Sequence, residues 1–153
     1  MIRPARSSDC RRLIELRLAV KENVLTDPSW LTEAIVDEAV GRLGRGWVWE
    51  ETGEIRGFSI VLERGPEIWA LFVEPEFEGR GIGRALLRVA VDWAWRQGAE
   101  RIKLSTDPQT RAATFYRRQG WQEVGKNAQG EVILVLRRPP DQGIDDSGVN
   151  RSS

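Results

Sequence analysis

Phe77-Glu78-Gly79-Arg80-Gly81-Ile82-Gly83-Arg84 sets three glycines and two arginines directly ahead of an apolar helical pattern. Glycine permits backbone angles that side chains forbid, and it lets another molecule lie against the main chain. The helix that follows has N–H groups at its first turn without intrahelical partners, and its dipole adds partial positive charge there. With Arg80 and Arg84 alongside, residues Gly79 to Arg84 suit a phosphate or diphosphate. The stretch is not a P-loop, since no lysine follows the glycines. Nor is it the dinucleotide fingerprint, whose third glycine falls on Arg84. A tight strand-to-helix turn without a ligand is the alternative that this loop alone leaves open.

Other chemistries are excluded by composition. The chain has no histidine and one cysteine, Cys10. Ser-His-Asp and Cys-His nucleophile systems, histidine-ligated metals and thiolate clusters are therefore absent, and no metal is expected. Cys10, beside Asp9, Arg11 and Arg12, is given no role. Catalysis falls to Glu, Asp, Tyr, Lys, Ser, backbone amides or a borrowed cofactor. The formal net charge is zero, so no broad field favours nucleic acid or an anionic membrane. No apolar run approaches a membrane span, and Ile2 is followed at once by Arg3, so the cytoplasm is the expected setting.

The elements that position the glycine corner follow from periodicity. The 153 residues fit one domain, expected over residues 1–138, with a disordered tail over 139–153 that is rich in Gly, Asp and Ser. Met1 to Ala5 reads as a strand. A helix capped by Ser8 or Asp9 carries Leu13, Leu16, Val20 and Val24, until Thr26-Asp27-Pro28 breaks it. A second helix from about Thr32 places Ile35, Val36, Ala39 and Leu43 on one side, with Gly44-Arg45-Gly46 as its stop. Three strand-like runs follow, around Trp47-Val48-Trp49, over Ile55 to Leu62 and over Glu67 to Val73, joined by short turns as an antiparallel meander. The last is nearly apolar throughout, as suits a strand buried on both faces. After the glycine corner, Ile82, Leu86, Val89 or Ala90, and Trp93 share a helical face that ends at Gly98. Arg101 to Ser105 alternates as a strand. Glu67 to Ser105 is thus a βαβ unit, whose strands should be parallel neighbours. Asp107-Pro108 reads as a helix start, with Ala112, Phe115 and Tyr116 on that helix. Trp121 to Val124 and Glu131 to Leu136 form a final hairpin.

Taken together, these residues resemble the GNAT superfamily of acetyl-CoA-dependent N-acetyltransferases. The family signature Arg/Gln-x-x-Gly-x-Gly/Ala is similar to Glu78-Gly79-Arg80-Gly81-Ile82-Gly83, with Glu in place of Arg or Gln. The later family motif Asn-x-x-Ala-x-x-Phe-Tyr-x-x-x-Gly-Phe is similar to Gln109 through Trp121, with Gln for Asn and Trp for Phe. Ile2-Arg3-Pro4-Ala5 with Asp9 resembles the family's opening. The likeness covers about residues 1 to 137.

The resemblance implies an α/β fold of the α+β type. Its sheet is mixed and mostly antiparallel, with about six to seven strands, about four helices and a splayed parallel pair at strands 4 and 5. It implies acetyl-CoA as donor, a primary amine of a small molecule, protein or peptide as acceptor, and a possible homodimer through the final hairpin. By resemblance, Leu71, Phe72 and Val73 bind the pantetheine arm like an added strand, and the amides of Gly79 to Arg84 hold the diphosphate. Tyr116 is implied as the acid for the leaving thiolate and Glu67 as the base for the amine, with Glu63 a weaker alternative. Glu78 is expected to point to solvent, away from the diphosphate. The acceptor pocket is expected to draw on Glu22, Asn23, Trp30, Trp47 and Trp69. A non-catalytic acyl-CoA-binding module is the rival reading.

Overall fold

The computed structural model describes residues 1–20, 25 and 27–140. The expectations at Glu22, Asn23, Val24 and Thr26, and for the tail from Asp141 onward, lie outside the described residues. In chain order the elements are β1 (Ile2–Pro4), α1 (Cys10–Ala19), α2 (Glu33–Gly41), β2 (Gly44–Glu51), β3 (Glu54–Leu62) and β4 (Glu67–Val73). They continue with α3 (Ile82–Arg96), β5 (Arg101–Thr106), α4 (Arg111–Arg118), β6 (Gln122–Lys126) and β7 (Val132–Arg137). The strands form one sheet in the order β1-β2-β3-β4-β5-β7-β6. Every neighbouring pair is antiparallel except β4 and β5, which the α3 crossover makes parallel. This is the mixed sheet with four helices that the resemblance implied. No helix among the described residues is long and apolar enough to cross a membrane.

The sheet divides two cores. On one face, Leu13 and Leu16 of α1 and Val36 and Ala39 of α2 pack on Val48, Phe58 and Ile60. On the other, α3 buries Ile82, Leu86, Leu87, Ala90, Val91 and Ala94, a helical stripe that meets Val61, Ile102 and Leu134. The buried hydroxyl of Ser59 on β3 donates to the carbonyl of Leu86 at 3.0 Å, which ties α3 to the middle of the sheet. At such a site an unpaired hydroxyl would cost about 1–3 kcal/mol.

Four local expectations are corrected. Gly44-Arg45-Gly46 does not stop α2; it opens β2. Glycine is required there because a Cβ on Gly44 would lie 2.0 Å from the Val61 carbonyl oxygen. The buried stripe of α2 is Val36, Ala39 and Val40, and Ile35 and Leu43 are exposed, because the helix turns a neighbouring face to the sheet. α4 starts at Arg111, not at Asp107-Pro108. Asp107 instead closes a turn, its carboxylate accepting from the Gln109 N–H at 2.9 Å and its carbonyl from the Thr110 hydroxyl at 2.9 Å. α1 starts directly after Asp9, one of the two caps expected, but it ends at Ala19, and Val20, expected on it, is extended.

Candidate functional site

The site is built on β4. Toward β3 this strand pairs from Glu67 to Val73, but toward β5 it has a single register pair, Glu67 with Lys103. The Lys103 N–H donates to the Pro66 carbonyl at 3.1 Å, and beyond that point the two strands part. From Ile68 to Val73 the β5 side of β4 therefore has no ladder partner. A β-bulge accompanies the parting: Ile60 pairs with Ala70 and Val61 with Ile68, which leaves Trp69 over. Bulges bend a strand and shift its facing pattern. Here Trp69 and Ala70 both pack toward α1 and α2, while Ile68, Leu71 and Val73 pack toward α3.

The far end of β4 is held by charge. Glu74 accepts from Arg56 at 2.9 Å and from Arg12 at 3.1 Å, and Arg12 also donates to the Ile55 carbonyl at 3.0 Å. Strand, α1 and β3 are thus locked where the cleft opens. Next comes the glycine turn. Gly79 has φ 81° and Gly81 has φ 83°, left-handed angles that disfavour side chains. Gly81 caps α3 without a side-chain acceptor, so the first-turn N–H groups are left bare.

Two clefts meet at the parted strands. The first, about 1030 Å³, runs between β4 and the end of β5, past the glycine turn, to α4. It is lined by Leu71, Phe72 and Val73, by Gly79, Gly81, Ile82, Gly83 and Arg84, and by Tyr116. Arg80 is not in its wall. Its guanidinium lies 4.6 Å from the centroid of Phe77, which Arg56 also overlies at 4.4 Å. The second cleft, about 810 Å³, lies on the α1 and α2 side, with Arg17, Trp30, Leu31, Asp107 and Glu131 among its lining. Trp69, Ala70, Phe72, Ser105 and Thr106 line both.

Tyr116 is buried, with its ring edge-on to Phe115 at 5.3 Å and to Trp121 at 5.7 Å. None of the hydrogen bonds among the described residues involves its hydroxyl. Burial raises its pKa well above the ordinary tyrosine value, so the hydroxyl keeps its proton. Phe115 beside it is half-buried and lines the first cleft.

The remaining candidates are placed less centrally. Glu67 lies at the closed end of the parted pair and lines neither cleft, although two residues along the strand Trp69 lines both. Glu63 stands in the turn between β3 and β4 and lines neither. Trp30 and Trp69 line the second cleft as expected of acceptor-side residues. Trp47 does not: strand alternation turns it to the α3 face, where it packs edge-on to Trp93 at 6.2 Å. Glu78 does not simply face water. Its carboxylate meets Arg111 at 3.1 Å across the cleft. Sequence reading missed Arg111, Arg17 and the polar end of β5. The only signal for Arg111 was its place two residues after Gln109. Among the described residues no group of three or more His, Cys, Asp or Glu could hold a metal ion.

The model of the acetyltransferase (GNAT) family matches residues 7–121. Peptidyl-lysine N-acetyltransferase YiaC of Escherichia coli is 31% identical over 143 residues, covering 88% of this chain and 91% of its own. A mycothiol acetyltransferase of Propionibacterium freudenreichii is 36% identical over 130 residues, 83% of this chain but 38% of that protein. In fold, the chain is similar to the PaiA N-acetyltransferase of Thermoplasma acidophilum in complex with coenzyme A. The TM-score is 0.80 at 18% identity, over 90% of this chain and 98% of that one. The ribosomal-protein-S18-alanine N-acetyltransferase of Escherichia coli superposes at 0.71 with 18% identity, over 90% and 92%.

Proposed function

The chain belongs to the GNAT acetyltransferase family, and from that premise we propose that it transfers the acetyl group of acetyl-CoA to a primary amine of a protein, peptide or small molecule. The observation that carries this reading is the meeting of the two clefts at the parted β4–β5 edge. The residues present fit such a donor. The bare turn at Gly79 to Arg84 suits a diphosphate, and the unpaired edge of β4 at Leu71, Phe72 and Val73 offers main-chain groups to an extended amide arm. When bound, acetyl-CoA supplies an activated thioester, so the transfer needs no nucleophilic side chain.

Two proton movements fall to the chain. A lysine-like amine carries a proton with pKa near 10 and must lose it before it attacks. Glu67 is the proposed acceptor of that proton, through a water that spans the distance from the closed end of β4 to the shared wall at Trp69. Tyr116 is the proposed donor to the departing thiolate, and the second nitrogen proton, shed as the amide forms, restores the tyrosine. Its support is its place in the wall of the first cleft and a hydroxyl that burial keeps protonated. Preorganised main-chain donors of β4 are the proposed partners of the developing oxyanion.

A lysine side chain is the first acceptor to test, in view of the Escherichia coli relative's peptidyl-lysine activity. Thiol release from acetyl-CoA is measured with lysine peptides, peptides with free α-amines and small polyamines, for wild type and Glu67→Gln. Turnover with one acceptor class, reduced in Glu67→Gln, supports the reading. Tight binding of coenzyme A without turnover against every class would point to the non-catalytic module.

A further inference from the structure

We infer that Arg111 grips the diphosphate of the acyl donor from the wall opposite the glycine turn, exchanging its Glu78 carboxylate for phosphate oxygens as the donor enters. The inference rests on the acyl-transfer reading above.

Arg111 is the first residue of α4, and Glu78 lies in the turn after β4, 33 positions earlier in the chain. Arg111 Nη2 donates to Glu78 Oε1 at 3.1 Å, and both residues line the first cleft. The pair therefore spans the mouth of the cleft beside the glycine turn. Two features argue against a purely structural role. The side chains are 76% and 40% exposed, and pairs so open to water add little to stability. Moreover, a cation at the first position of a helix opposes the helix dipole, so α4 itself gains nothing from arginine there.

The chemistry of the cleft supplies the reason. The turn at Gly79 and Gly81, the uncapped start of α3 and Arg84 make its wall attractive to anions. A carboxylate at the same mouth repels an anionic guest unless a cation holds it. Arg111 neutralises Glu78 while the cleft is empty of anions. An arriving diphosphate carries more charge than one carboxylate and presents paired oxygens to the guanidinium fork, so it takes the arginine. The weakness of the exposed pair makes that exchange inexpensive.

Equilibrium binding of coenzyme A, dephospho-CoA and S-acetylpantetheine to the full chain tests this with wild type, Arg111→Gln and Glu78→Gln. Dephospho-CoA keeps the diphosphate but lacks the 3′-phosphate, and S-acetylpantetheine lacks both. At low salt, Arg111→Gln is expected to weaken coenzyme A and dephospho-CoA alike by about tenfold and to leave S-acetylpantetheine unchanged. It should also flatten the salt dependence of coenzyme A binding. Glu78→Gln removes the competing carboxylate and is expected to tighten coenzyme A by about two- to threefold. A loss confined to coenzyme A assigns the arginine to the 3′-phosphate and overturns the diphosphate contact. An equal loss for S-acetylpantetheine, no loss for any ligand, or weaker binding in Glu78→Gln overturns the exchange. Should wild type itself bind no coenzyme A, the acyl-transfer reading falls as well.

Discussion

Replacing Gly83 and Gly81 separately by alanine should move stability in opposite directions, although the two residues share one helix start. Gly83 has an ordinary φ as the second residue of α3, and its added Cβ would lie 3.7 Å from Val73 Cγ2, a normal contact. Alanine there limits the unfolded chain and favours the helix, so Gly83→Ala is expected to stabilise by about 0.5–1 kcal/mol. For a chain of this size that raises Tm by roughly 1–4 °C. Gly81 holds φ 83°, and its Cβ would meet nothing within 4 Å. The cost of alanine at Gly81 is conformational alone, about 1–2 kcal/mol, and Tm should fall by roughly 2–8 °C. The assay is thermal unfolding followed by tryptophan fluorescence. The same Gly83→Ala protein should bind coenzyme A more weakly than wild type, because its new methyl group stands at a cleft-lining position. A Gly83→Ala protein less stable than wild type, or two variants shifted the same way, would refute the argument that backbone angle demands glycine at Gly81 while surface approach explains it at Gly83.

Tyr116→Phe is expected to lower kcat by about a hundredfold while changing unfolding free energy by less than about 1 kcal/mol, since no hydrogen bond among the described residues involves its hydroxyl. A comparable loss of rate and stability would make the residue a packing element. Asp9 gives a pH prediction. Burial works against its ionisation, but two hydrogen bonds from Arg3, at 2.9 and 3.1 Å, and one from the Arg6 amide at 2.8 Å outweigh that and hold its pKa below the ordinary value. A pKa lowered by folding gives stability that is complete above the unfolded carboxyl's pKa, about 4, and is lost as pH falls through the lower folded value. Asp9→Asn should therefore cost about 1–3 kcal/mol at pH 7, and the gap to wild type should close below about pH 4. Denaturant unfolding across that range checks it, and a gap independent of pH would count against the ion pair.

How much was legible follows from the range of each signal. The α3 stripe, the glycine turn and the parallel relation of β4 to β5 were readable because periodicity and a crossover act over few residues. The start of α4 was misread because Asp107-Pro108 satisfies the rule for a helix cap and for a turn equally, and only the Gln109 and Thr110 bonds decide between them. Gly44 was misread because its need is the approach of Val61, seventeen residues away. At the site, Tyr116 and the cleft-lining glycines were nameable from the motifs. The Glu78–Arg111 pair was not, since it joins two turns that the sheet brings together. The bulge at Trp69 is also a property of the β3 partnership rather than of the β4 sequence.

The parting of β4 from β5 turns the sheet into a wall with an aperture, bordered by Trp69, Ala70, Phe72, Ser105 and Thr106 and reached from both sides. Two molecules that approach from opposite sides need no common doorway, and neither must leave for the other to arrive. A covalent adduct of the two would lie through the gap, with one part on each side of the sheet.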